Sequence, residues 1–180
     1  MTEIRFLDGK EALARLDELG AVLADCVEGG ASVSFMLPFS LDDARVYWRG
    51  VAEAAGAGDL LLAVADVDGR ILGTVQVGLK QTPNQPHRGD LKKLLVHRAA
   101  RGRGLSRLLM EAAEQRAAEA GKTLLVLDTA TGSPAEAIYP RFGWQRVGVI
   151  PDYALYPDGR YCGTTFFYKR IGQGQDTSLA

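Results

Sequence analysis

The run Arg101-Gly-Arg-Gly-Leu-Ser-Arg107 follows closely on the apolar Leu94-Leu95-Val96, so a buried strand leads through a short basic turn into a helix. A helix start leaves four backbone N–H groups without internal partners and carries partial positive charge. Gly102 and Gly104 remove side chains from the turn, so that a ligand can approach those N–H groups closely. Arg101, Arg103 and Arg107 add charge suited to bidentate phosphate contacts, with Leu105 and Ser106 opening the helix between them. The chemistry that follows is pyrophosphate binding. Taken alone, the same residues also describe a tight strand-to-helix turn with surface arginines. The run lacks the Gly-Lys-Ser/Thr of a nucleoside-triphosphate loop and the third glycine of a dinucleotide fingerprint, which counts against kinases and dehydrogenases.

The elements around this turn can be read from periodicity and punctuation. Ile4 and Phe6 alternate with polar neighbours and predict a short opening strand. Leu13, Leu16, Leu19, Val22, Leu23 and Cys26 recur at helical spacing, predicting one helix over about 10–28 that Gly29-Gly30 ends. Ser40 is placed to cap a second helix that ends near Gly56. Leu60–Ala65 and Arg70–Val77 flank Asp68-Gly69 and predict a hairpin. A polar loop over 81–89 precedes a strand over 90–97, and a helix over 104–120 ends at Gly121. A buried strand from Leu124 ends in Asp128-Thr129. Ser133-Pro-Ala-Glu136 carries a capping-box pattern for another helix, although Pro140 would bend it. Two final strands are expected over 144–150 and 161–169. Together these predict an α/β fold with a mixed sheet of about six or seven strands and about four helices on both faces. One domain over 1–171 is expected, with a disordered polar tail over 172–180.

Composition narrows the partners. The chain has 180 residues, enough for one substantial core, with 47% hydrophobic and 24% charged residues. A formal net charge of −1 argues for neither nucleic acid nor an anionic membrane surface. The first residues lack signal-peptide order and no apolar run reaches the length of a membrane span. Cys26 and Cys162 are far apart, without metal or redox spacing, and read as reduced thiols. A cytoplasmic protein with no bound metal is the expectation. His97 reads as a structural or phosphate-facing residue, and His87 lies in a loop.

Arg101-Gly-Arg-Gly-Leu-Ser106 resembles the Arg/Gln-x-x-Gly-x-Gly/Ala signature of the GNAT superfamily of acetyltransferases. Leu94-Leu95-Val96 is similar to the strand that pairs with the pantetheine arm in that family. The stretch from Leu127 to Trp144 resembles its second motif: a strand, a segment bearing tyrosine, and a Gly-aromatic ending. Gly29–Met36 and Pro157-Asp-Gly-Arg160 are further similar to the tabtoxin-resistance branch, which acetylates a small amino-acid-like toxin. Gly132 departs from the pattern, standing where many relatives have an asparagine that touches the cofactor.

The resemblance implies a fold, a donor and a set of roles. The donor is acetyl-CoA, held by Leu94, Leu95, Val96, Arg101, Gly102, Arg103, Gly104, Leu105, Ser106, Arg107 and Tyr139. Acyl transfer from a thioester to an amine needs the ammonium to lose a proton and the developing oxyanion to be stabilised. The departing thiolate also benefits from a proton. Tyr139 matches the family's tyrosine beside the cofactor sulfur and is the expected acid. Asp128 and Asp90 are the expected proton acceptors or ammonium holders, and a backbone N–H at or near Val96 the expected carbonyl donor. Ser34 and Phe35, with Asp90 and Asp128, are expected to bind acceptor. Phe35, Met36, Trp48 and Tyr153 suit either a pocket wall or the core.

The implied partner is a small, amino-acid-like amine, with toxin or antibiotic detoxification as the role this suggests. Two alternatives stay open from sequence: a protein or peptide N-acetyltransferase, and a non-catalytic acyl-CoA-binding sensor. Many relatives are dimers, so homodimer formation is also left open.

Overall fold

The computed structural model describes residues 1–172; the tail expected over 172–180 lies outside the described residues except for Gly172. Its strands, in chain order, are β1 (Thr2–Leu7), β2 (Leu60–Val67), β3 (Arg70–Gly78), β4 (Arg88–Val96), β5 (Leu124–Ala130), β6 (Gln145–Leu155) and β7 (Tyr161–Arg170). The helices are α1 (Gly9–Ala14), α2 (Leu16–Glu28), α3 (Leu41–Gly56) and α4 (Leu105–Glu119). The strands form one sheet in the order β1-β2-β3-β4-β5-β7-β6. Every neighbouring pair is antiparallel except β4 and β5.

Alternation along β2 sorts the core into two layers. Ala63, Ala65 and Val67 face α4, whose Leu105, Leu109, Met110, Ala113 and Ala117 are buried against them. Leu60, Leu62 and Val64 face the other way, onto Leu19, Leu23 and Val27 of α2 and Trp48 of α3. Helices therefore cover both faces, as the pattern of elements predicts. No helix among the described residues is long and apolar enough to cross a membrane.

Two expected helices need correction. The single helix over 10–28 is two, because Arg15 leaves helical geometry at φ −115° and ψ 20°. Its guanidinium reaches Glu18 on α2 together with Asp66 on β2 and the Gly69 carbonyl, the last two on a distant hairpin. The helix expected from Ser133 is instead a pair of 3-10 turns, Glu136–Ile138 and Pro140–Phe142. Pro140 lacks the N–H that an α-helix needs there, and Gly143 closes the segment at φ 80°. Strand β6 also runs past its expected end at residue 150. It does so through a register shift between Ile150 and Ala154 that accommodates Pro151, as an edge strand allows.

Candidate active site

The centre of the site is a gap in the sheet. Strands β4 and β5 pair only over Arg88–Asp90 and Leu124–Val126, although β4 runs on to Val96 and β5 to Ala130. The cause lies in β4, whose register against β3 slips between Thr74 and Gln76. The slip brackets Lys93, held at φ 54°. A bulge of this kind bends a strand and increases its twist, carrying the upper half of β4 away from β5. Leu94, Leu95 and Val96 lie on this diverging half, with Leu95 and Val96 registered only with β3.

Beyond Val96 the chain makes a 3-10 turn, Arg98–Ala100, and enters α4. His97 caps the turn, Nδ1 accepting from the Ala99 N–H at 3.2 Å, so its role here is structural. Arg98 fastens the turn to α2: its N–H and Nε donate to Asp25 at 2.7 and 2.9 Å, and Nη2 donates to Glu28 at 2.8 Å. The buried Cys26 thiol, pushed up by its burial, approaches the Val96 carbonyl and belongs to the same brace.

The start of α4 has no side-chain cap. Gly102 and Gly104 sit at φ 75° and 76°, and a Cβ on either would meet nothing of the protein within 4 Å. The left-handed backbone, rather than internal crowding, is what requires glycine here. Arg101, Arg103 and Arg107 are exposed around this helix end, with Ser106 half-buried between them. Arg101 Nε lies 3.3 Å from the Val96 carbonyl, and Arg107 lies over the Phe142 ring at 5.2 Å. Uncapped N–H groups, left-handed glycines and three cations fit a pyrophosphate.

Tyr139 stands between the 3-10 turns, 5% exposed, packed on Phe167 at 5.5 Å and Trp144 at 6.3 Å. Burial first, and the charge of Asp128 second, push its phenol well above the ordinary tyrosine range. It is therefore held protonated at neutral pH. A distributed brace fixes this irregular segment. Glu114 on α4 accepts from Trp144 Nε1 at 2.8 Å and Lys169 at 2.6 Å, and Lys169 also donates to the Phe142 carbonyl at 2.7 Å. Glu136 accepts from the Gly132 N–H at 2.6 Å and the Thr165 hydroxyl at 2.7 Å, partners that hold its carboxyl below the usual range.

The two aspartates part company. Asp128 lies where β5 leaves β4 and accepts from Thr164 Oγ1 at 2.9 Å. It lines a cavity of about 320 Å³ with Ser34, Phe35, Met36, Tyr153 and Cys162, and is the one charged residue in that lining. Asp90 sits lower on β4, within the paired part of the strands, and is absent from the cavity lining. Its carboxylate is engaged by Arg88 and by Gln81 Nε2 at 2.8 Å. Trp48, a possible wall residue by sequence, is fully buried in the core instead.

Sequence reasoning missed Lys93. Its Nζ donates to Ser34 Oγ at 3.0 Å and lies 5.7 Å from the ring centroids of both Phe35 and Tyr47. Burial lowers its pKa to about 8, with Lys92 adding to that and Asp128 opposing it. Tyr47 is locked by buried Gln76 through bonds of 3.0 and 3.2 Å. No motif marks this lysine. The only local sign is that Lys92-Lys93 interrupts the apolar run from Leu91 to Val96.

Residues 33–144 match the family model described as the acetyltransferase (GNAT) family. Among solved structures, an N-acetyltransferase from Staphylococcus aureus Mu50 is 18% identical, with 94% of this chain and 98% of that one covered at a TM-score of 0.78. The ribosomal-protein-alanine N-acetyltransferase from Brucella melitensis is 22% identical, covering 94% and 99% at 0.77. A GNAT superfamily phosphinothricin acetyltransferase from Sinorhizobium meliloti, in complex with acetyl-CoA, is 16% identical, covering 99% and 93% at 0.76. These likenesses extend the shared fold over the whole described chain.

Proposed function

The chain belongs to the acetyltransferase (GNAT) family, and on that premise we propose that it moves the acetyl group of acetyl-CoA directly to the amine of a small, amino-acid-like acceptor. The observation that carries this reading is the cavity of about 320 Å³ bounded by Asp128, Ser34 and Phe35 and lined from β5, β6, β7 and the segment before α3. That volume suits a small ligand. In this reading the start of α4 holds the pyrophosphate through Gly102, Gly104 and the following N–H groups, with Arg101, Arg103 and Arg107 around them. Leu94–Val96 align the pantetheine arm. The Sinorhizobium relative carries acetyl-CoA in its structure, which supports the choice of donor.

The reaction forms a C–N bond and breaks a C–S bond. Asp128 holds the acceptor ammonium and accepts its proton, directly or through water. The neutral amine attacks the thioester carbonyl, whose oxygen is met by a backbone N–H at or near Val96. As the C–S bond breaks, Tyr139 gives its proton to the leaving sulfur. Its raised pKa keeps that proton available at neutral pH. The second proton, shed by the new amide nitrogen, returns through water to the phenolate. Asp90, held by Arg88 and Gln81, has a structural part in this scheme.

A phosphinothricin acetyltransferase among the relatives, and the likeness of 29–36 and 157–160 to the tabtoxin-resistance branch, favour an amino-acid-like acceptor and a detoxifying role. The Brucella relative's ribosomal-protein substrate defines the competing reading. Coenzyme A thiol release, measured with purified protein against amines, amino acids and peptides, separates them. Turnover with small amines supports the proposal; turnover with peptides alone removes it.

A further inference from the structure

Among the described residues four that are not glycine adopt positive φ: Ser34, Asp68, Lys93 and Asp152. Asp68 belongs to the β2–β3 hairpin, where such a conformation is expected. Asp152 lies at the β6 register shift, beside the cavity residue Tyr153. Ser34 and Lys93 come from distant parts of the chain, yet they touch each other, Lys93 Nζ to Ser34 Oγ at 3.0 Å. A left-handed backbone at an ordinary residue costs energy and persists where surrounding structure enforces it, most often at ligand sites. Here two such residues meet beside one cavity, Ser34 in its lining and Lys93 bonded to Ser34 from behind that lining.

The charge arrangement gives that meeting a purpose. Lys93 is half-buried beside the Phe35 and Tyr47 rings, and among the described residues it forms no ion pair. A desolvated ammonium with one hydroxyl partner retains unused donors. Asp128, the charged residue of the lining, acts on Lys93 electrostatically without closing onto it. The two opposite charges are held apart, Asp128 within the cavity lining by Thr164 and Lys93 just behind that lining by Ser34.

We propose that Lys93 and Asp128 select a zwitterionic acceptor, Asp128 receiving the amine to be acetylated and Lys93 the acceptor's own acidic group. The inference rests on the small-acceptor reading above and deepens it: the substrate class is amines carrying a carboxylate or a comparable anionic group nearby. An anion bound at Lys93 supplies the missing partner and offsets the ammonium's desolvation. It also orients the amine, since a two-point hold fixes the direction of its attack. Neutral monoamines satisfy only Asp128 and leave Lys93 unpaired.

The test uses matched acceptors: an α-amino acid, its carboxamide, and the amine left by removing the carboxylate. Thiol release is followed for wild type, Lys93→Met and Lys93→Arg, with acetyl-CoA binding by calorimetry as the check on folding. Wild type should favour the acid over the decarboxylated amine by at least roughly 10-fold in kcat/KM. Lys93→Met should lower kcat/KM for the acid by about 30-fold and leave the decarboxylated amine within about three-fold, whereas Lys93→Arg should retain the preference for the acid. Wild type acetylating acid and amine equally, or Lys93→Met depressing both alike with cofactor binding intact, overturns the inference alone. Turnover with peptides and with no small amine overturns the acceptor reading and this inference together.

Discussion

The cofactor side and the acceptor side of the site are built in opposite ways. The first is one continuous run, Leu94 to Arg107, whose parts are a strand, a braced turn and a helix start. Its interactions are largely those of backbone N–H groups and helix polarity, which any sequence with glycines in the right places can present. The second is assembled from segments that are remote in sequence: Ser34 and Phe35 before α3, Lys93 on β4, Asp128 on β5, Tyr153 on β6 and Thr164 on β7. Its groups are side chains, two of them on strained backbone. A shared donor needs a generic grip, whereas acceptor choice needs a particular constellation, and the two requirements fall on different kinds of structure.

The largest effect should come where the two sides meet, at Tyr139. Phenylalanine preserves the packing on Phe167 and Trp144 but removes the proton. Tyr139→Phe is expected to lower kcat by roughly 10²-fold while acetyl-CoA binding stays within a few-fold. The defect should shrink with acyl donors whose thiols are more acidic. Normal kcat in that variant would reduce Tyr139 to a packing residue.

Gly104→Asp tests the backbone side. It places a negative charge and a side chain at φ 76°, where phosphate must approach, and should weaken acetyl-CoA binding by about 2 kcal/mol, roughly 30-fold. Gly104→Asn, which tolerates the left-handed backbone and carries no charge, should lose far less. Equal losses in calorimetry would mean that geometry alone, with no anion at this turn, sets the requirement.

Asp128→Asn and Asp90→Asn sharpen the contrast between two aspartates that look alike in sequence. Asp128→Asn should lower kcat about 10-fold if it accepts the proton, or raise KM by a similar factor if it only holds the ammonium. Asp90→Asn should leave both constants within about two-fold and instead lower thermal stability, because its partners are Arg88 and Gln81. A kinetic defect at Asp90 larger than at Asp128 would reverse the assignment.

The smallest effect is in pH. Lys93, lowered to about 8, loses its charge as pH rises through that value, so KM for an anionic acceptor should be flat below about pH 8 and climb several-fold by pH 9. The groups facing it are Lys92 on its own strand, Asp128 from β5 and Tyr47 from α3. Tyr47, pushed up to about 12, stays neutral throughout. In Lys93→Arg, which keeps its charge, the climb should disappear. A climb that persists there would assign the titration to another group.

Much of this was legible from residues alone, for a physical reason. The hairpin at Asp68-Gly69, the helix after Gly104 and the apolar strand β2 follow from interactions between near neighbours, so local sequence determines them. The phosphate turn is legible for the same reason, since a helix end and its glycines are adjacent in the chain. Tertiary structure decided the rest. Arg15 interrupts a strongly periodic helix because its partners Asp66 and Gly69 lie on a distant hairpin. Asp90 and Asp128 take different places because β4 and β5 part between their levels, a consequence of the bulge at Lys93 that shows only in the register against β3. Lys93 itself gains its surroundings from α3, β5 and the segment before α3, and a strand residue's neighbours across space carry no mark in its neighbours along the chain.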